Sequence, residues 1–151
     1  MVTVETKIII DAPIALCFDL ARDIEIHTRT VWKHTNERAI KGTVTGLINE
    51  GETVTFQATH FLIRQKLTSR ITEMNKPYYF VDQMVKGAFK NLRHEHKFEE
   101  LKGKTMMTDS LTFSAPLGFI GWIVERAVLK TYMRRFLEHR NEQLKVIAEH
   151  R

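Results

Sequence analysis

Residues Gly87 to Phe113 read GAFKNLRHEHKFEELKGKTMMTDSLTF, and this stretch decides the fold. Two strand-like runs meet at Lys102-Gly103, a pair suited to a tight hairpin because glycine takes positive φ at little cost. A two-residue loop there sets Leu101 opposite Lys104 and fixes every later pair: Phe98 with Met107, His96 with Asp109, His94 with Leu111. Side chains alternate along a strand, so those last six share one face. The other face carries Arg93, Glu95, Lys97, Glu99, Met106, Thr108, Ser110 and Thr112 and is mostly polar. The buried face is therefore the one holding two histidines and an aspartate, an unusual wall for a hydrophobic core.

Working outward, Tyr78 to Val85 is a strand preceded by the Asn75-Lys76-Pro77 loop. A turn centred near Ala88 sets its Asp82 opposite His94. Glu52 to Phe61 and Gln65 to Glu73 are two further strands, with a tight connection near Ile63-Arg64 that lacks the usual glycine. Thr35 to Ile40 and Thr43 to Ile48 are strand-like, broken at Gly42 and closed by the turn Asn49-Glu50-Gly51. Val2 to Ile10 is the first strand. Asp11-Ala12-Pro13 reads as a helix start, Asp11 as cap and Pro13 just inside. That short helix runs to about Ala21 with Ile14, Cys17, Phe18 and Ala21 facing inward, and Asp23 caps a second one through His27.

Beyond the hairpin, Ser114-Ala115-Pro116 ends the sheet. From Leu117 the chain is helical almost to its end, with Leu129, Met133, Phe136, Arg140 and Leu144 spaced for one stripe and flanked by Leu137 and Ile147. Lys130, Arg134, Glu138, Glu142 and Lys145 fall on the exposed side. The order predicts an α+β helix-grip architecture. A curved seven-stranded antiparallel sheet wraps around a long C-terminal helix, with two short helices after the first strand. No repeat or linker is visible, so residues 1–151 are expected to form a single domain.

The chain has 151 residues, 43% hydrophobic and 27% charged, enough for one ordinary soluble domain with a core. Its 23 Lys+Arg against 18 Asp+Glu give +5. An excess this modest does not by itself indicate nucleic-acid binding, which would need clustering on a face or groove, so no nucleic-acid partner is expected. The single cysteine, Cys17, excludes an internal disulfide and sits among apolar neighbours as a structural thiol. The opening MVTVETKIII is no signal peptide, and a cytoplasmic location is expected. The longest apolar run, Leu117 to Val124, is too short to span a bilayer.

The sharpest constellation is His94 and His96 with Asp109, joined by Asp82 and His60. Carboxylates beside imidazoles stabilise the protonated ring, while burial pushes the other way. Three readings compete: a self-satisfied polar ladder, contact with a ligand, and proton transfer to a bound carbonyl or enol. His-x-His on a strand is also a zinc spacing, with Asp109 near enough to be a third ligand. His60 lies two strands further across the sheet, so no metal is expected. The bland readings of His27 and Glu37 are a helix-end hydrogen bond and a strand-edge charge. GTVTG lacks the lysine and helix of a phosphate loop, and there is no serine elbow.

The segments DAPIALCFDLARDIEIH (11–27), ERAIKGTVTGLINEGETVTFQATHF (37–61), LTSRIT (67–72), YYFVDQMVKGAFKNLRHEHKF (78–98) and GKTMMTDSLTFSAPLGFIG (103–121) resemble the SRPBCC superfamily. These are the START-like helix-grip proteins related to birch pollen allergen and the polyketide cyclases. The likeness runs in order along essentially the whole chain and is strongest to a bacterial subgroup. Some of that subgroup carry a cell-division label, which nothing in these residues supports. The resemblance implies a cavity for an apolar or amphipathic molecule, without implying one reaction. Met84 stands where relatives often have glutamine, which puts a polar ligand contact there in doubt.

The expected function is binding of a hydrophobic or amphipathic small molecule, of lipid, polyketide or aromatic type, between sheet and final helix. Phe56, Ala58, Phe80, Met84, Phe98, Met107, Leu111, Met133 and Phe136 are the expected apolar wall. His60, Asp82, His94, His96 and Asp109 are the expected polar groups. No cofactor is expected. The alternative is a cyclase/dehydratase-type enzyme with His94, His96 and Asp109 as candidate catalytic groups. A third reading is an interaction module. Leu117–Val124 is apolar all round a helical wheel, which suits packing on the short helices, a homodimer contact, or a gate touching a membrane.

Overall fold

The computed structural model describes residues 1–151. Seven strands, β1 (Val2–Ile10), β2 (Arg38–Gly42), β3 (Thr53–His60), β4 (Ile63–Asn75), β5 (Tyr79–Lys86), β6 (Asn91–Leu101) and β7 (Lys104–Ser114), form one antiparallel sheet. Their spatial order is β1-β7-β6-β5-β4-β3-β2. Helices α1 (Ile14–Ala21) and α2 (Ile24–Thr30) follow β1. Past β7 the chain is helical as α3 (Gly118–Val124), a π turn over Glu125–Leu129, and α4 (Lys130–Glu149).

The β6–β7 hairpin has the register its sequence demands: Leu101 faces Lys104, Phe98 faces Met107, His96 faces Asp109 and His94 faces Leu111. Lys102 and Gly103 take φ of 50° and 85°, the two left-handed positions of a primed turn. Asp82 pairs with His94 across β5–β6. Burial alternates along both strands, so His94, His96 and Asp109 do face inward. Asp23 caps α2 by accepting from the N–H groups of Glu25 and Ile26.

Four local expectations are corrected. Asp11 does not cap α1: Pro13 holds the cap position, extended, and the Asp11 N–H donates to Glu149 Oε2 at 2.8 Å. Asp11 lies two residues too far back for its carboxylate to reach the free N–H groups of the first turn. Thr43–Ile48 is not a strand. Its backbone is drawn to the α1–α2 junction, where Ile48 N–H donates to Arg22 O and Gly46 O accepts from Ile24. Thr35 closes a short 3₁₀ turn, so β2 begins only at Arg38. The β3–β4 turn sits at Phe61-Leu62, not Ile63-Arg64. Both residues take positive φ, 51° and 65°, the conformation that Lys102-Gly103 adopts with a glycine's help.

Two apolar clusters fill the interior. The larger joins α1, α2 and α4 to the sheet through Phe18, Ile26, Ile71, Phe80, Phe98, Met107 and Leu144. The smaller joins Val4, Leu92, Leu111 and Phe113 to Leu137 of α4. Helix α4 also runs along β1, an edge strand, where Arg134 and Lys145 donate to the carbonyls of Glu5 and Ile9. Those contacts satisfy an edge that would otherwise invite pairing with another chain.

Candidate functional site

Between the sheet and α4 lies a cavity of about 390 Å³, within the ~300–1,000 Å³ usual for small-molecule sites. Its lining is mostly hydrophobic and comes from β3, β4, β5, β6, β7 and α4, with α2 at one end. Of the residues expected on the wall, Phe56, Ala58, Phe80, Leu111, Met133 and Phe136 line it, as do His60, Asp82, His94 and His96.

Four expected residues stand outside the lining, and each has a packing reason. Phe98 stacks edge-on against Phe18, its ring centroid 5.4 Å away. Met107 is fully buried in the larger cluster, on a strand that α1 covers. Met84 packs against the smaller cluster. Asp109 is wholly enclosed behind the two histidines.

The polar ladder is a hydrogen-bonded network that leaves His96 Nδ1, Asn141 Oδ1 and Arg140 Nε without a partner. His94 Nε2–H donates to Asp109 Oδ1 at 2.7 Å, and His96 Nε2–H donates to Asp82 Oδ2 at 2.6 Å. Asp109 Oδ2 accepts from Asn141 Nδ2 of α4 at 2.8 Å, and the same amide donates to Thr6 Oγ1 of β1. The imidazoles stack with centroids 3.8 Å apart, and Phe80 lies flat on the outer face of His96 at 4.1 Å.

This packing separates the two rings electrically. Burial and the neighbouring His96 push His94 below its ordinary value, and the Asp109 hydrogen bond offsets only part of that. Burial also acts against a charge on His96, but two carboxylates outweigh it and its pKa is raised. Burial likewise opposes ionisation of Asp82 and Asp109. Hydrogen bonds from the imidazoles, with the Arg140 charge, hold Asp82 below and Asp109 well below the usual carboxylate range. The cluster thus sets two carboxylates against two imidazoles and a guanidinium, with the two rings displaced in opposite directions. A His94 that donates through Nε2 keeps Nδ1 as an acceptor.

The ligating atoms of Asp82, His94 and His96 come within 4.8 Å of one another, so Asp82, not Asp109, is the geometric third member of any metal set. Asp82, the carboxylate of that set, already accepts from His96, and the Arg140 guanidinium adds a positive charge beside Asp109. That donor set fits a hydrogen-bonded network better than a divalent cation.

His60 sits apart from the ladder, at the rim. Its Nδ1 shares a hydrogen bond with the Tyr132 hydroxyl at 2.6 Å, and burial pushes its pKa down. Phe61 packs on Tyr132 at 4.5 Å, and Trp32 meets the edges of Tyr132 and Phe136. Phe61 and Ile63 both line the cavity and are more than half exposed, so they mark its opening. At the α2 end, His27 Nε2 lies 3.0 Å from Glu37 Oε1, and the Glu37 side chain is 6% exposed. Glu37 is therefore a buried partner of His27, not an edge charge.

Sequence reasoning gave no functional role to Tyr132, Trp32, Arg140 or Asn141. Arg140 was visible as a charged residue on the inward stripe of the last helix. Asn141 had no signal, because its importance lies in reaching β1 and β7 together.

The family described as polyketide cyclase/dehydrase and lipid transport matches residues 1–149. No curated protein matches the chain. Among solved structures, a protein from Thermus thermophilus is similar at 14% identity, over 95% of this chain and 94% of that one, with a TM-score of 0.74. A START superfamily protein from Mycobacterium smegmatis is similar at 13% identity, over 98% and 97%, with a TM-score of 0.73. Major latex-like protein 151 of Panax ginseng is similar at 11% identity, over 97% of each chain, with a TM-score of 0.71. These likenesses are to a shared helix-grip fold. With sheet, gripping helix and a family match over nearly every residue, the chain belongs to the polyketide cyclase/dehydrase and lipid-transport family of the SRPBCC superfamily.

Proposed function

We propose that this protein binds a hydrophobic small molecule in the cavity between its sheet and α4. The observation that carries the reading is that cavity of about 390 Å³, walled mainly by apolar side chains yet holding a hydrogen-bonded polar cluster at one side. Few polar groups in an apolar pocket fix orientation, while the walls supply affinity. The volume suits one chain or one fused ring system better than a two-chain lipid.

The test is organic extraction of natively purified protein followed by mass spectrometry. A stoichiometric lipid, polyketide or aromatic compound is expected. A protein that carries nothing and fails to bind any apolar dye would end the reading.

The paired imidazoles favour a second reading, cyclase or dehydratase chemistry. Their pKa values are displaced in opposite directions, as acid and base partners require. Neutral His94 would take a proton through Nδ1 and His96 would supply one. Turnover of polyketide-like carbonyl substrates, lost in His94→Gln, would support it.

The entry route is read from α3. Leu117, Phe119, Ile120, Trp122 and Ile123 are exposed, and Arg126 lies over the Trp122 ring at 4.4 Å. Apolar side chains beside a cation suit transient contact with an anionic lipid surface.

A further inference from the structure

Arg140 is 2% exposed and lines the cavity. Its Nε is fully enclosed and has no hydrogen-bond partner. Its one ion pair, Nη1 to Asp109 Oδ1, spans 3.9 Å, beyond hydrogen-bond reach. Asp109 cannot move to close that gap, because His94 and Asn141 already hold its two oxygens. The contrast with Arg22 is instructive. That arginine, also buried, is satisfied by Asp19, the Ile48 carbonyl and Asn49 Oδ1. A buried guanidinium left without acceptors is costly, and its planar fork matches a carboxylate in two parallel hydrogen bonds.

We propose that the cavity takes a single-chain or fused-ring carboxylic acid, its carboxylate held by Arg140 beside His94 and its apolar body directed toward Phe61 and Ile63. The proposal rests on the cavity-binding reading and names its ligand class. Charge favours a monoanion. The groups around His94 are Asp82 from β5, His96 on its own strand, Asp109 from β7 and Arg140 from α4, so a ligand anion meets two carboxylates beside its one guanidinium. A monoanion adds one negative charge next to those carboxylates, whereas a phosphate dianion adds two. Asp82 also borders the cavity, but its Oδ2 is tied to His96, which shares its charge.

The test uses displacement of a neutral dye, N-phenyl-1-naphthylamine, by dodecanoate, methyl dodecanoate, dodecanol and dodecyl phosphate. The wild-type protein is compared with Arg140→Gln and Arg140→Lys. Dodecanoate is expected to bind about tenfold or more tightly than its methyl ester, the scale of a charge-assisted hydrogen bond. Arg140→Gln should erase that preference, and Arg140→Lys should restore part of it.

Equal binding of acid and ester would overturn the anchor while leaving the cavity reading standing. A preference for the alcohol, which Asp82 would accept from, or for the phosphate would overturn the head-group assignment. Failure of the protein to bind even the dye would remove both readings. Should Arg140→Gln not fold, the wild-type ratio of acid to ester still decides.

Discussion

At the scale of single residues, the cluster of Asp82, His94, His96, Asp109 and Arg140 makes a prediction about pH. The folded pKa of His94 lies below the ordinary ~6.5, so the unfolded chain binds that proton more readily and stability falls as pH drops below that value. Asp82 and Asp109 are also lowered, and their contribution is lost further into acid. His96 is raised, so its contribution is full below ~6.5 and is lost as pH rises through the folded value. Thermal unfolding followed between about pH 4 and pH 9 should therefore trace a dome with its top near pH 6.5. Asp109→Asn removes the anion both rings share. It should cost about 3 kcal/mol, the scale for breaking a buried ion pair, and flatten the alkaline limb. An unchanged alkaline limb would show that His96 owes its proton to Asp82 alone. The identity of these residues and their inward face were legible in the hairpin, because alternation and a glycine turn set them. Which carboxylate each ring binds was not, since Asp82 pairs with His94 across the strands yet hydrogen-bonds to His96.

At the scale of elements, local chemistry was read correctly where a single residue enforces geometry, as at Asp23 and Gly103. It failed where an element's ends are set by distant partners. Nothing in Thr43–Ile48 discloses that residues 22–24 will claim its backbone. The turn at Phe61-Leu62 is the clearest case, because two bulky residues hold left-handed backbone that glycine or asparagine would adopt more easily. Leu62 is 98% exposed, so packing does not compensate it. Leu62→Gly is accordingly expected to stabilise the protein by about 0.5–1 kcal/mol, measured by urea denaturation. A destabilised variant would mean that Leu62 packs in solution against something further. An exposed leucine at a left-handed tip beside the cavity opening fits a role at an apolar surface.

At the scale of the molecule, α3 and the β3–β4 tip each present apolar side chains to the outside while the cavity lies between sheet and α4. In a Trp32→Phe background, Trp122 emission should shift to the blue on adding vesicles rich in anionic lipid and stay fixed with neutral vesicles. Emission indifferent to both would remove the membrane route while leaving the cavity untouched. No helix is long and apolar enough to cross a membrane. By itself the sequence determined the strand pairing of the central hairpin, the inward ladder, the two short helices and the gripping helix. Each of those follows from short-range periodicity, turn residues and caps. Tertiary structure alone decided that Arg140 faces the cavity without an acceptor, that Asn141 ties α4 to β1 and β7, and that Phe98, Met107 and Asp109 lie behind the wall instead of on it. Those outcomes depend on how sheet curvature sets the depth of each inward side chain against a helix far away in sequence, and residue spacing along one strand carries no information about depth.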